Sequence, residues 1–277
     1  MRLINLALVV LLVTFSGWAE AAVISKKNLS FKVAGQTYRL DLYEGAGAAL
    51  DRRPGILLVP EYWGKDELTF QPAEILAAKG YVVLVLDPYG EGRRARDSVA
   101  ADRLVEEAEA KGIDRVIDLV SRAVDLLKSQ KGVDPNRLGA IGFGYGGGLV
   151  YNLAKSGSSD LKAVVSFYGG TKKIRETSRL GHLPEFLYFR PTNDVYTTDQ
   201  EFSRFKTELT NSGFSYEIFT ADAGYYGFIH KGIEGYTDTE GKTFMYYDAK
   251  LALEAWEKAY RFLLENLQDK SSSKSMF

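Results

Sequence analysis

The sequence predicts an α/β fold in which a mostly parallel central sheet carries helices on both faces. Apolar runs alternate with helical segments along most of the 277 residues, which favours parallel strands joined by right-handed crossovers. The runs GILLVP at 55–60 and YVVLVL at 81–86 are continuously apolar, as strands buried on both faces are. The glycine cluster GFGYGGG at 142–148 lies between an apolar run and a helix start, which indicates a sharp strand-to-helix turn.

Composition limits the classes of protein to consider. The chain is 45% apolar, which suits one large domain with a full core. The 35 basic and 36 acidic residues nearly cancel, so there is no electrostatic case for binding nucleic acid or an acidic membrane. The lack of cysteine excludes disulfides, thiolate metal sites and a cysteine nucleophile. Two histidines and scattered carboxylates offer no metal-ligand spacing, so neither a metal nor another cofactor is expected.

The N-terminus has the pattern of a signal peptide. Arg2 supplies the positive charge, Leu3–Phe15 the apolar run, and Ala19-Glu20-Ala21 the small-residue cleavage site. The apolar run is shorter than the about 20 residues of a membrane span. We therefore predict a signal peptide at 1–21, one domain at 22–268 and a disordered tail at 269–277. The mature protein is expected to be exported, either periplasmic or secreted, without membrane attachment.

The remaining elements follow from periodicity and from glycine and proline positions. Alternating residues on both sides of Ala34-Gly35-Gln36 predict an N-terminal antiparallel hairpin. The predicted strands are residues 29–33, 38–42, 55–60, 81–86, 138–141, 163–167, 185–190 and 215–220. The predicted helices are residues 67–79, 98–131 with a break near Gly112, 145–154, 200–211 and 247–267. Residues 171–184 are polar and irregular and form a candidate lid, and 221–235 are predicted as a loop.

Ligands of such sheets bind beyond the carboxyl ends of the strands. We therefore expect one cleft where five segments converge. These segments are Glu61–Gly64, Asp87–Arg94, Gly144–Gly146, Asn193–Tyr196 and Gly224–His230.

The glycine cluster matches a nucleophile elbow, G-x-S-x-G, whose central residue is held in a strained turn at the top of the sheet. Here the central residue is Gly144, so the elbow carries no nucleophile. The same letters spell G-x-G-x-x-G through Gly142, Gly144 and Gly147. That dinucleotide fingerprint belongs in the first βαβ unit with an acidic residue on the next strand, and both conditions fail here.

Five segments follow one another in a specific order and spacing. They are Val59–Gly64 (VPEYWG), Leu86–Gly90 (LDPYG), Asp134–Phe143 (DPNRLGAIGF), Val164–Gly170 (VVSFYGG) and Asn193-Asp194. Together they resemble the dienelactone hydrolase family of the α/β-hydrolase fold, and the resemblance runs from about residue 31 to 267. The resemblance implies an α/β-hydrolase fold and, for active members, hydrolysis of esters or lactones of the carboxymethylenebutenolidase type.

The family works by a Cys-His-Asp triad with a glutamate beside the cysteine. By resemblance the glutamate is Glu61 and the aspartate is Asp194, whereas Gly144 stands at the cysteine position and Tyr226 at the histidine position. Glycine has no nucleophile, and a phenol with a pKa near 10 is a poor base at neutral pH. The resemblance therefore predicts a degenerate triad and a protein without triad chemistry.

Other residues offer alternative chemistry. His230 lies four residues beyond the family's histidine register and His182 lies in the candidate lid, so either could enter the cleft or remain a loop histidine. Ser166 could act as a nucleophile, but its Val-Val-Ser-Phe context favours a structural strand residue.

The two surviving acidic positions also have alternative roles. Glu61 could act as an acid or base, or could form an ion pair with Arg93 or Arg94. Asp194 without a histidine could cap a turn or the next helix.

An oxyanion hole needs only backbone N–H groups, here those of Tyr62 and Tyr145. The cleft is therefore expected to bind a small carboxylate or carbonyl ligand between walls of Tyr62, Trp63, Tyr145, Tyr225 and Tyr226.

Three functions remain open at this point. The protein could be a non-catalytic binder of a small molecule or a protein partner. It could hydrolyse esters or lactones through Glu61 or Asp194 activating water. It could also be a scaffold whose cleft is filled by Tyr226.

Overall fold

The computed structural model describes residues 24–45, 52–110, 112–157, 160–171, 182–233, 235–237 and 241–267. The predicted signal peptide, the predicted tail and residues 172–181 of the candidate lid lie outside these ranges. Within them, no helix combines the length and apolar character needed to cross a membrane.

The described elements alternate between strands and helices along the chain. The strands are β1 Ile24–Val33, β2 Gln36–Gly45, β3 Arg53–Val59, β4 Val82–Val85, β5 Val133–Phe143, β6 Leu161–Phe167, β7 Glu185–Asn193, β8 Tyr216–Tyr225, β9 Tyr236–Thr237 and β10 Thr243–Met245. The helices are α1 Glu67–Ala78, α2 Ser98–Glu109, α3 Ile113–Lys128, α4 Tyr145–Ser156, α5 Asp199–Asn211 and α6 Ala249–Leu267.

Strands β1 to β8 form one sheet in the order β1-β2-β4-β3-β5-β6-β7-β8. The β1–β2 hairpin is antiparallel, as predicted, and β2 pairs with β4 in the antiparallel sense. Every later neighbouring pair, from β4–β3 to β7–β8, is parallel. The predicted fold class is therefore confirmed.

The core lies in two layers, one on each face of the sheet. Along β3, Leu57 and Val59 pack into one layer while Ile56 and Leu58 pack into the other, as the two-residue period of a strand requires. The first layer includes the buried faces of α3, α4 and α5. The second layer includes those of α1 and α6. A sheet buried on both faces explains why its central strands are apolar without interruption.

Two element boundaries can be compared with the sequence-based prediction. Gly112, at φ 98°, separates α2 from α3, so the predicted break is confirmed. The prediction of a loop from residue 221 is wrong at its start, because β8 continues to Tyr225. A register shift between Pro191 and Asn193 of β7 lets the two strands stay paired up to Asn193 and Tyr225. Backbone pairing of this kind leaves no pattern in the side chains.

The parallel strands bring their carboxyl ends to one edge of the sheet. Glu61, Gly144, Tyr168, Asp194 and Tyr226 each follow the end of a strand, namely β3, β5, β6, β7 and β8. The candidate site is built at this edge, in agreement with the general rule for open α/β sheets.

Candidate functional site

The turn between β5 and α4 has the backbone shape of a nucleophile elbow. Gly144 has φ 47° and ψ −111°, a conformation that strains any residue except glycine. Its N–H donates to the carbonyl of Phe167 at 3.0 Å, and its carbonyl accepts from the Gly148 N–H at 3.1 Å. The elbow is therefore fully formed, with glycine at its tip.

The space above Gly144 is already occupied. A Cβ added to Gly144 would lie 2.0 Å from the hydroxyl oxygen of Tyr226 and 2.1 Å from Oε2 of Glu61. Both distances are far below a van der Waals contact, and both neighbours are buried. The volume where a nucleophilic side chain begins in an active elbow is thus filled by two other side chains.

Glu61 and Tyr226 form a buried pair. The Tyr226 hydroxyl donates to Glu61 Oε2 at 3.1 Å, and the two residues are only 3% and 7% exposed. Burial raises the pKa of Glu61 to about 8, although the Tyr226 hydroxyl and the backbone N–H groups of Tyr62 and Tyr145 act to lower it. Those two N–H groups are the predicted oxyanion hole, but Oε1 of Glu61 has no partner at full hydrogen-bond geometry among the described residues. The carboxyl of Glu61 therefore lies close enough to these two N–H groups for them to affect its pKa.

The side chain of Asp194 stabilises the turn that follows it in the chain, through hydrogen bonds from backbone N–H groups. Its Oδ1 accepts from the backbone N–H groups of Tyr196 at 2.8 Å and Thr197 at 3.3 Å. Its Oδ2 is buried without a partner among the described residues. Burial raises the pKa of Asp194 to about 6. The negative charge also acts on Tyr226, so the aspartate lies beside the position from which the histidine is missing.

The raised pKa values of Glu61 and Asp194 predict that the free energy of unfolding falls as pH rises through the acidic and neutral range. Glu61 has an ordinary pKa of 4.5 and a pKa of about 8 in the fold, so the folded state binds more protons than the unfolded state between these values. The free energy of unfolding should therefore fall as pH rises from about 4.5 to 8, by up to about 1.4 kcal/mol per pH unit for one proton. Urea unfolding at several pH values measures this slope.

The Glu61→Gln variant is the test of that assignment. Glutamine keeps the shape but does not titrate, so the slope between pH 6 and 8 should be largely lost. Asp194→Asn should instead flatten the range from 3.8 to about 6, the ordinary and raised pKa values of Asp194. An unchanged slope in Glu61→Gln would show that Glu61 does not carry the raised pKa.

A pocket of about 470 Å³ opens beside the elbow, and we call it the tyrosine pocket. Five tyrosines line it together with Gly144, Gly170 and Thr197, and helix α2 contributes Asp102, Val105 and Glu106. The tyrosines are Tyr62, Tyr145, Tyr168, Tyr196 and Tyr226. The pocket therefore has aromatic walls and an acidic rim.

Several residues singled out from the sequence lie elsewhere. Trp63 packs its ring against Tyr62 at 4.4 Å between centroids, and Tyr225 contacts Tyr246, but neither lines the tyrosine pocket. His182 is exposed. Ser166 is fully buried in β6 against the backbone of Gly147 and Gly169, away from the pocket lining.

His230 is buried but does not reach the pocket. Its ring packs edge-on against Phe143 and Tyr168, at centroid distances of 5.4 and 6.0 Å. Burial lowers the pKa of His230 to about 3, so the imidazole stays neutral. Tyr226 lines the tyrosine pocket, whereas His230 does not.

Among the described residues, Glu61 forms an ion pair with neither Arg93 nor Arg94, the two partners considered from the sequence. Arg93 Nη1 donates to Glu107 Oε2 at 2.6 Å, and Nη2 donates to the carbonyl of Tyr89 at 2.8 Å. The partner of Glu61 is the uncharged hydroxyl of Tyr226. A buried carboxyl with a neutral partner is more easily accommodated in its protonated form, in agreement with its raised pKa.

Sequence reasoning missed several residues of the pocket. Tyr168 directly follows β6, so its position at a strand end was a usable signal. Tyr196 lies two residues after Asp194 in a segment expected at the cleft. Asp102 and Glu106 had no such signal, because nothing in the sequence shows that α2 crosses the mouth of the pocket.

Comparison with known proteins supports the resemblance seen in the motifs. The dienelactone hydrolase family model matches residues 40–267. A protein of Aquifex aeolicus, named as a candidate carboxymethylenebutenolidase, is 26% identical over 212 residues, which cover 76% of this chain and 87% of that protein.

Solved structures agree on the fold. The structure named m3DLH superposes with a TM-score of 0.76 at 21% identity, covering 88% of this chain and 99% of that one. A dienelactone hydrolase-like promiscuous phosphotriesterase from metagenomic libraries gives 0.76 at 19% identity, with the same coverage. The family model spans strands β3 to β8, the elbow and every residue of the candidate site, and the chain therefore belongs to the dienelactone hydrolase family.

Proposed function

We propose that this protein is a non-catalytic member of its family that binds a small organic ligand in the tyrosine pocket. The observation that carries the proposal is the filled space above Gly144, where Tyr226 Oη and Glu61 Oε2 lie 2.0 and 2.1 Å from the position of a Cβ. Acyl transfer by this fold needs an activated side chain at that point. Here two buried side chains bond to one another instead.

A carboxylate mechanism fits the geometry less well. A general base must lie within hydrogen-bond reach of the water it activates. Neither Glu61 nor Asp194 lines the tyrosine pocket, and Asp194 Oδ2 is buried. Burial raises the pKa of Glu61 to about 8, so at pH 7 most of this carboxyl is protonated and only a minor fraction is in the form that accepts a proton. The alternative of hydrolysis through these residues is therefore disfavoured.

The pocket itself supports binding rather than a purely structural role. Tyr226 fills the catalytic volume but leaves about 470 Å³ open beside it, which is within the range of small-molecule sites. Because the carboxyl of Glu61 lies beside the oxyanion-hole N–H groups, a ligand carbonyl or carboxylate would have to displace it. The ligand is therefore held by the pocket walls rather than by the oxyanion hole.

The location belongs to the same proposal. The sequence of residues 1–21 supports export to the periplasm or beyond. N-terminal sequencing of the protein recovered outside the cytoplasm should begin just after Ala21 or Ala22. Recovery of the full-length chain from the cytoplasm would contradict export.

The test of the proposed function is hydrolysis by the purified mature chain. A short-chain aryl ester and a dienelactone are offered beside an active member of the family as positive control. We expect no turnover above that of a Glu61→Gln/Asp194→Asn variant, which lacks both carboxylates. Turnover by wild type that the Glu61→Gln or the Asp194→Asn substitution abolishes would replace the proposal with a carboxylate mechanism.

A further inference from the structure

We propose that the ligand of the tyrosine pocket is a small organic cation, of the substituted-ammonium class. This inference rests on the proposed function, because it names the class of molecule that the non-catalytic site binds. It is carried by the aromatic walls of the pocket and by the sign of the charge at its rim.

The walls form an aromatic corner around the filled elbow. The ring of Tyr226 lies 4.6 Å from that of Tyr168 at an interplanar angle of 56°, and 4.6 Å from that of Tyr196 at 62°. Tyr62 and Tyr145 complete the lining. Several aromatic side chains thus border one small volume, and Tyr196 is the most exposed of the three rings at 55%. Aromatic walls of this kind attract substituted ammonium groups.

The charged residues in the described lining of the pocket are all acidic. Asp102 and Glu106 of α2 line it, and its described lining includes no lysine or arginine. Burial raises the pKa of Tyr62 and of Tyr196, and the negative charge of Asp102 raises both further. A cation is attracted by this field and an anion is repelled.

The hydroxyl groups of the pocket give a second reason to expect a bound molecule. Tyr168 is 1% exposed, and its hydroxyl has no hydrogen-bond partner among the described residues. A buried hydroxyl without a partner costs free energy that a ligand donor can recover. An ammonium or hydroxyl group on the ligand would supply that donor.

The experiment compares choline with its uncharged isostere 3,3-dimethylbutan-1-ol and with the anion 3,3-dimethylbutanoate. The three have similar bulk, and binding to the mature chain is followed by NMR titration of their methyl signals. We expect choline to bind at least about 10-fold more tightly than the neutral alcohol, with the anion weakest. The affinity for choline should also fall as salt is raised.

Variants locate the binding site. Tyr196 is 55% exposed, so Tyr196→Leu should leave the fold intact and weaken choline binding about 5- to 30-fold. Asp102→Asn and Glu106→Gln should each weaken it about 2- to 5-fold, because both carboxylates are at the exposed rim. Glu257→Gln removes the same charge from the exposed face of α6, outside the pocket, and should change nothing.

The possible results distinguish failure of the cation-binding inference from failure of the proposed non-catalytic function. Equal affinity for choline and the neutral alcohol would overturn cation recognition while leaving a binding pocket. Preference for the anion would also overturn it. Hydrolysis of esters by wild type would instead contradict the proposed function.

Discussion

The Gly144→Cys/Tyr226→His double variant is expected to hydrolyse an aryl ester at least about 10²-fold faster than wild type, the lower range of what a positioned base contributes. Cysteine at 144 would stand at the N-terminus of α4, where the helix favours a thiolate. Histidine at 226 would remove the phenol and would feel the charge of Asp194, whose Oδ2 has no partner among the described residues. The carboxyl of Glu61, whose Oε2 lies 2.1 Å from the new Cβ, would have to rotate away to admit the cysteine. Steady-state release of the phenolate product measures the gain.

The single variants are the controls for this rescue. Gly144→Cys alone puts a Cβ against Tyr226 Oη, and Tyr226→His alone lacks a nucleophile, so both should stay near the wild-type rate. Adding Asp194→Asn to the double variant should remove most of the gain, because the histidine loses its orienting partner. A folded double variant without turnover would show that the scaffold no longer holds triad geometry.

The Gly146→Ala variant is expected to lose about 3 kcal/mol or more of the free energy of unfolding, an effect at the upper end of those for overpacked sites. A Cβ at Gly146 would lie 2.3 Å from the carbonyl oxygen of Val59 and 2.4 Å from that of Pro60. Both atoms are backbone and cannot turn aside as a flexible side chain can. The first turn of α4 would have to move away from the end of β3. Urea unfolding gives the change.

Gly170→Ala is the matched control. Like Gly146→Ala, this substitution adds one methyl group. It lies at the edge of the tyrosine pocket, and no heavy atom lies within 4 Å of the new Cβ. Its stability should stay within about 0.5 kcal/mol of wild type, as for most surface substitutions. Equal losses in the two variants would mean that the close approach at Gly146 is not the cause.

The fold was predictable because its determinants are local. Buried strands are recognisable in the sequence as apolar runs. The glycines at 142–148 indicate a turn in which strand and helix approach too closely for side chains. The strand-end rule then brings Glu61, Gly144, Asp194 and Tyr226 together without knowledge of any distance.

The contents of the site were not predictable in the same way. That Tyr226 Oη points at Glu61 depends on the path of the chain after β8, whose register shift leaves no side-chain pattern. The acidic rim depends on where α2 crosses the pocket, and exposed Asp102 and Glu106 resemble any solvated helix face in sequence. Pairings between distant segments are fixed by packing, which periodicity does not encode.

The filled elbow also restricts the order in which a nucleophile could arise at position 144 during evolution. As long as Tyr226 and Glu61 occupy the space above Gly144, a side chain at that position would lie about 2 Å from both and would also have a strained backbone. We therefore expect a substitution at position 144 alone to destabilise the fold. A nucleophile there becomes compatible with the fold only after changes that move both Tyr226 and Glu61 out of this space.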